Sequence, residues 1–275
     1  MFKYCVILST YHRKDGSTKG KLTKILQCIE EQTYKNFKVF VVGDDYANNE
    51  EFEEICKNYK GDIYYFNNPT SYRSYKFAIE KNYWAIGGTK SLIHGIERAI
   101  NEDFNFYFHV DDDDFWKPNH IECVVNAIEK LPDSDFIYTR SIFWDKYYVP
   151  FEHEDIKMDY NNHCPLPGHV CHSASVYNLK SSFGQFVLDD LKKYDKLADD
   201  YNGIGSKEAN QWKINLKFKT LSASNHIIQK EEEMDPGDMR CLKQLSMFKN
   251  KYNYKTVYVP EITVIKETDG NYVQL

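Results

Sequence analysis

The sequence lacks any uncharged apolar run approaching the roughly 20 residues that a membrane-spanning helix needs. Its N-terminal stretch, Met1-Phe-Lys-Tyr-Cys-Val-Ile-Leu-Ser9, is too short for a secretory apolar region and reads better as a first strand. An excess of positive charge is also missing: 35 Lys and Arg face 41 Asp and Glu, a formal net charge of −6. A generic nucleic-acid binder needs a basic footprint, so that class is excluded. Any anionic ligand must then be held locally, by a few cations or by a metal. Cysteines in paired spacing are absent too. The 7 Cys form an odd set spread from Cys5 to Cys241, which points to reduced thiols and a cytoplasmic protein. No internal repeat, low-complexity segment or linker-like stretch divides the chain.

What is present is a globular composition. Aromatic residues make up 16% of 275, including 22 Tyr and 17 Phe, which excludes a disordered tail protein. A chain of this length buries roughly 75% of its unfolded surface and needs no covalent staples. Strand-like and helix-like segments alternate. Lys3–Ser9, Phe37–Gly43, Asp62–Phe66 and Phe104–Val110 read as strands; Leu22–Gln32, Glu50–Lys60 and Leu92–Ile100 carry apolar residues at helical spacing. Further on, Ile121–Leu131, Ser206–Phe218 and Asp238–Tyr252 read as helices, and Asp135–Phe143, Val170–Tyr177 and Lys255–Ile265 as strands. Phe151–Gly168 reads as a long polar loop, functional or mobile. The alternation implies an α/β fold with a mostly parallel sheet and right-handed crossovers. Ligands of such sheets sit at the carboxyl ends of the strands.

The sharpest feature is Asp111-Asp112-Asp113-Asp114, directly after the apolar strand Asn105-Phe-Tyr-Phe-His-Val110. Adjacent carboxylates at the end of a buried strand repel one another and lose hydration, which costs stability without a counter-ion. Asp111 and Asp113 project from one side of an extended backbone, about 6–7 Å apart, so a divalent ion fits between them. Oxygen donors suit Mg²⁺ or Mn²⁺, and such an ion stabilises a diphosphate leaving group. The blander alternative is a solvated acidic loop, or acids complementing the helix that begins near Asn119.

The position of that run brings out a resemblance. Val6-Ile-Leu-Ser-Thr-Tyr-His-Arg13, Val41-Val-Gly-Asp-Asp45 and Val110-Asp-Asp-Asp-Asp114 with Pro118 resemble, in order and spacing, the family 2 glycosyltransferases of the GT-A fold. The resemblance covers residues 1–125 well and 126–220 loosely. It implies a GT-A domain over residues 1–225, with the nucleotide-sugar half at 1–114, the acceptor half at 115–225, and a C-terminal extension at 226–275 packed on the same domain. The activity it implies is metal-dependent transfer of a sugar from a nucleotide-diphosphate donor, UDP-sugar first, to a hydroxyl of a glycan or other acceptor, with inversion.

By that resemblance Thr10 and Tyr11 pack on or bond the base, with Arg13 of the same segment also on the donor, and Asp44 or Asp45 accepts from the base imide. Stacking on an aromatic face is worth about 1–3 kcal/mol per base, although Tyr11 can equally be a packing residue and Asp44-Asp45 a turn or helix cap. Asp111 and Asp113 match the metal-binding acids, and Asp112 reaches toward the ribose in close relatives. An Arg-Asn pair often precedes the metal strand in the family. Here Leu92-Ile93 stand at that place, and Lys90 is the substitute cation for the phosphates, or else a solvated surface lysine. The catalytic base is Glu208, in the first turn of Ser206-Lys-Glu-Ala-Asn-Gln-Trp212, or Asp200 in Ala198-Asp-Asp-Tyr-Asn-Gly203. His226 is a candidate third metal ligand. His163, Cys164, His169, Cys171 and His172 do not have the spacing of a zinc finger or knuckle and read as single-role residues, His169 near the acceptor. Two other functions stay open. One is a sugar-nucleotide nucleotidyltransferase, for which His12-Arg-Lys-Asp-Gly-Ser-Thr-Lys-Gly20 would be the phosphate loop. The other is a catalytically inactive domain that binds a glycan or nucleotide.

Overall fold

Strand β1 (Tyr4–Thr10) is apolar on both faces and almost wholly buried, as a central strand of a parallel sheet must be. It pairs in parallel with β2 (Phe37–Asp44) on one side and with β4 (Phe106–Asp111) on the other, and β3 (Ile63–Asn68) extends the sheet beyond β2. The structure, a computed structural model, describes residues 2–70, 88–143, 147–149, 170–202 and 253–266. Three helices accompany these strands: α1 (Thr18–Glu30), α2 (Asn49–Lys57) and α3 (Thr89–Asn101). After β4 come β5 (Asp114–Trp116), α4 (His120–Lys130), β6 (Phe136–Phe143) and β7 (Tyr147–Val149). A 3₁₀ turn at His172–Ala174, β8 (Ser175–Asn178), α5 (Ser182–Asn202) and β9 (Thr256–Lys266) complete the described elements. The sheet order is β3-β2-β1-β4-β8-β6-β9-β5, with β7 on β6. β8 runs antiparallel to both of its neighbours and β5 antiparallel to β9.

Side-chain alternation along the strands splits the core into two layers. Tyr4, Val6 and Leu8 of β1 pack with Leu22, Ile25 and Ile29 of α1, Phe52 of α2 and Ile121, Val124 and Ile128 of α4. Cys5 and Ile7 face the other way, onto Leu92, Ile93 and Ile96 of α3 and Phe183, Val187 and Leu191 of α5. On that second face α3 lies so close to β1 that a Cβ at Gly95 would meet Ile7 Cγ2 at 2.6 Å.

Three departures from the sequence-based reading have physical causes. The strand expected over Val170–Tyr177 begins only at Ser175; the residues before it form the 3₁₀ turn, where the Ser173 side chain instead of a backbone ladder meets the end of β4. Helix α5 was not expected, although Phe183, Val187 and Leu191 recur every fourth residue and are buried. Strand β5 is held by residues about 150 positions away on β9, a partnership that local periodicity does not reveal. β9 pairs in parallel with β6 through an irregularity between Thr139 and Ser141. Pro260, which has no N–H to give a ladder, falls where that register shifts. The segment read as a C-terminal extension thus contributes a strand between β6 and β5. The expected loop Phe151–Gly168 and the expected helices Ser206–Phe218 and Asp238–Tyr252 lie outside the described residues.

Candidate active site

Strand order reverses its direction of growth at β1: β2 and β3 lie to one side of it and β4 to the other. Such a switch point opens a crevice beyond the carboxyl ends of the two adjacent strands. Ser9 is in register with Asp111 there, which places Thr10 beside the aspartate run. Parity decides which carboxylate goes where. Asp112 continues the side of Phe106, Phe108 and Val110 and meets Thr10, which continues the side of Tyr4, Val6 and Leu8. Thr10 Oγ1 donates to Asp112 Oδ2 at 2.6 Å. Arg13 forms a fork on the same carboxylate, 2.8 Å to Oδ2 and 2.5 Å to Oδ1. Arg13 also lies 4.3 Å over the Tyr11 ring, so one face of that ring is covered by a guanidinium. Burial works against the Arg13 charge, but bonding to Asp112 prevails and raises its pKa.

Asp111 takes the opposite side, with His109. Its Oδ1 lies 3.1 Å from His109 Nε2 and its Oδ2 3.7 Å from Lys266 Nζ. Burial pushes Asp111 toward the neutral form, yet the His109 bond and then Lys266 hold it well below the usual carboxylate range. Asp114 turns back into the protein on β5, opposite Lys266 in the β5–β9 ladder. It accepts from Ser173 Oγ at 2.5 Å and from Lys266 at 3.1 Å. Burial raises its pKa to about 6, partly offset by Lys266 and increased by the charges of Asp111 and Asp113. Ser173 ties the cluster together, since its Oγ accepts from the Asp111 N–H at 2.9 Å and its carbonyl accepts from Trp116 Nε1 at 2.8 Å. Asp113 lies 3.3 Å from Arg13 and 3.9 Å from Lys21.

Much of the counter-charge that the sequence reading assigned to a metal ion is therefore protein. Among the described residues, Arg13, Lys21 and Lys266 face the four carboxylates and leave the cluster net negative. The two carboxylates still open to solvent are Asp111 and Asp113, 31% and 38% exposed, against 4% for Asp112 and 0% for Asp114. Two accessible carboxylates in a net negative cluster are a donor set that fits Mg²⁺ or Mn²⁺.

A second wall is built from the end of β2. Asp44 is buried, and Ser91 in the first turn of α3 lies 3.2 Å from the Gly43 carbonyl and 3.5 Å from Asp44 Oδ1. Gly88, with φ 72°, starts that helix in a left-handed conformation suited to glycine; a Cβ there would lie 3.3 Å from Ser9 Oγ. Asp45 is exposed, also with positive φ (54°), and its N–H donates to the Asn68 carbonyl at 2.9 Å. Asn67 clamps the next residue: its Oδ1 accepts from Tyr46 N at 2.8 Å and its Nδ2 donates to the Tyr46 carbonyl at 2.9 Å. Tyr46 in turn meets the His12 ring edge-on at 5.4 Å, which joins the two loops.

The structure thus brings Thr10, Tyr11, Arg13 and Asp111–Asp113 together at the carboxyl ends of β1 and β4 and holds Asp44 and Asp45 at the end of the neighbouring strand. Lys90 is on α3 and pairs with Asp195 of α5 at 3.4 Å. Asp200 belongs to the last turn of α5. Glu208 and His226 lie outside the described residues, as do His163, Cys164 and His169. Sequence reasoning passed over His109, Ser173, Asn67 and Lys266. For His109 a signal existed, since residues two apart on a strand share a face with Asp111. Ser173 and Lys266 arrive from distant elements and carry no local signal. Cys5, Cys28, Cys56, Cys123 and Cys171 are free thiols. Among the described residues no helix is long and apolar enough to cross a membrane.

Comparison with known proteins accords with this arrangement. The model of glycosyl transferase family 2 matches residues 5–183. The uncharacterized glycosyltransferase R139 of Acanthamoeba polyphaga mimivirus is 33% identical over 178 residues, 62% of this chain and 71% of that protein. An uncharacterized glycosyltransferase of Rickettsia felis is 31% identical over 106 residues, 38% of this chain and 15% of the relative. Among solved structures, S. aureus TarS 1-349 superposes with a TM-score of 0.54 at 14% identity, covering 96% of this chain and 60% of that one. Its complex with UDP-GlcNAc superposes with a TM-score of 0.53 at 14% identity, covering 99% and 62%. At such identity the likeness is one of fold. The family match across most of the chain and the fold of the sheet and its helices lead to one conclusion: this chain belongs to glycosyltransferase family 2 and is a transferase of the GT-A fold.

Proposed function

We propose that the chain transfers a sugar from a UDP-sugar to a hydroxyl of a glycan or other acceptor, with inversion, using a divalent cation held by Asp111 and Asp113. The observation that carries this reading is the gathering of Thr10, Arg13 and the aspartate run at the β1–β4 switch point. The UDP and UDP-GlcNAc complexes of S. aureus TarS support the choice of nucleotide. Residues 1–114 would hold the donor and 115–225 the acceptor, with 226–275 an extension packed on the same domain.

In this reading Tyr11 offers a ring to the base, Asp44 or Asp45 accepts from its imide N–H, and Asp112 orients the ribose. Arg13, already fixed by Asp112, lends positive charge to the donor phosphates, with Lys90 as a second cation. When bound, the cation stabilises negative charge on the diphosphate leaving group. Glu208 or Asp200 takes the proton of the acceptor hydroxyl as its oxygen attacks the anomeric carbon and the bond to the diphosphate breaks. His226 is the proposed third ligand. The test is thermal melting of the full chain with UDP, UDP-sugars and other nucleotides, each with and without Mn²⁺ or Mg²⁺. Stabilisation by UDP that requires the ion is expected, about 2.7 kcal/mol at a concentration 100 times Kd. No shift with any nucleotide diphosphate sinks the reading. Turnover assays for sugar transfer and for pyrophosphate-dependent NTP formation then separate it from nucleotidyl transfer.

Asn67 allows a sharper check. Its amide holds both backbone groups of Tyr46, and through them the turn that carries Asp44 and Asp45. Asn67→Ala is expected to weaken UDP binding about tenfold, the effect of about 1.4 kcal/mol, and to raise KM for the donor more than it lowers kcat. Equal donor KM in variant and wild type would show that the turn holds without the clamp.

A further inference from the structure

The face of β4 that carries Asp111 also carries a donor to which the proposed transfer gives no role. His109 precedes Asp111 by two residues, so both project from the same side. His172 arrives from the 3₁₀ turn, and its imidazole stacks on that of His109 with centroids 3.4 Å apart and planes 18° apart. One donor atom from each of His109, Asp111 and His172 lies within 4.8 Å of the others. His109 is 2% exposed, and its Nδ1 has no hydrogen-bond partner among the described residues. A buried imidazole kept for packing normally satisfies both nitrogens.

We propose that His109, Asp111 and His172 form a binding site for a divalent transition-metal ion, held by two imidazole nitrogens and one carboxylate oxygen. Two imidazoles with one carboxylate favour Co²⁺, Zn²⁺ or Ni²⁺ over Mg²⁺, which prefers an all-oxygen shell. Bonds of about 2.1 Å set adjacent ligands about 3.0–3.4 Å apart. Binding therefore draws the three donors inward and turns the two rings out of their parallel stack. Asp111 need give up only one oxygen, because His109 faces Oδ1 while Lys266 faces Oδ2. The site shares Asp111 with the proposed diphosphate cation but needs no nucleotide, so it stands or falls separately from sugar transfer.

The experiment is a Co²⁺ titration of the full chain without nucleotide, read by calorimetry and by the visible absorption of histidine-bound cobalt, with Mg²⁺ in parallel. Wild type is expected to bind one Co²⁺ at least about tenfold more tightly than Mg²⁺, and His172→Gln to lose at least about tenfold in Co²⁺ affinity together with the absorption band. Asp113→Asn is expected to keep both. His109→Phe preserves a ring against His172 while removing the nitrogens; it is expected to behave as His172→Gln does and carries the comparison if that variant does not fold. Co²⁺ bound equally well by wild type and the histidine variants overturns the site, as does absence of Co²⁺ binding by wild type. Loss in Asp113→Asn with retention in the histidine variants overturns it as well.

Discussion

Asp113→Asn is expected to lower sugar transfer about 10³-fold in kcat/KM while leaving thermal melting within about 2 °C of wild type. The activity term is about 4 kcal/mol of transition-state stabilisation, the scale of losing one fixed electrostatic contact to a leaving group that gains charge. The stability term is small for a geometric reason. Asp113 is 38% exposed, and its partners Arg13 and Lys21 stand at 3.3 and 3.9 Å. Partly solvated ion pairs of this kind contribute about 0–1 kcal/mol. Arg13 does not lose its anchor, because the fork on Asp112 is independent of Asp113. The substitution thus separates two explanations of the aspartate run. A run that merely decorates a turn tolerates the amide in both measurements, whereas a run that grips a donor tolerates it only in melting. Turnover within tenfold of wild type would remove Asp113 from the mechanism. Steady-state kinetics with a saturating divalent cation, beside a melting curve of the same preparation, provides both readings.

The uneven legibility of this site follows from where its charges come from. β1, β2 and β4 were readable because their apolar runs are of strand length, rich in β-branched and aromatic residues and bounded by polar residues. Once they are strands in register, Thr10 must meet Asp112, since both continue the face that packs on α1. The aspartates themselves stood out by composition. Their partners did not: Ser173 and Lys266 are about 60 and 150 residues away in sequence and come beside β4 only through β9 and the 3₁₀ turn. Four adjacent carboxylates do need counter-charge, and much of it comes from cations that the sequence does not place beside them. α5 shows the opposite case. Its buried residues at every fourth position were visible in the sequence, but Gly184 and the acids between them weakened the pattern; Gly184 is needed because a Cβ there would lie 2.1 Å from the Asn178 carbonyl oxygen.

Lys266→Met is expected to destabilise the fold by about 3 kcal/mol at neutral pH in metal-free buffer, the usual result of removing one member of a buried ion pair. Methionine keeps the length and the apolar stem, so the loss reports the charge. In the wild type, Lys266 offsets Asp111 and Asp114 at once, from directly opposite Asp114 in the β5–β9 ladder. Asp114 is the more sensitive of the two, since burial raises its pKa to about 6 even with the lysine present. A carboxyl raised in this way contributes stability that is fully present below its unfolded value of about 3.9 and is lost as pH rises through about 6. Burial works against the Lys266 charge, but Asp114 and then Asp111 prevail and raise its pKa as well. Titration of the lysine itself removes its contribution only above about 10.4, so the pH dependence on the acid side comes from the carboxylates it faces. Without it, Asp114 retains its proton to still higher pH in the native state, and the native state binds more protons than the unfolded chain over a wider window. Stability of the variant must then fall as pH rises across that window. The deficit against wild type is expected to be smallest near pH 4 and largest at about pH 7–8, as read from urea unfolding at both ends of the range. A deficit independent of pH would mean that Lys266 acts through packing of its stem alone, and that Asp111 and Asp114 draw their compensation from Ser173, His109 and solvent.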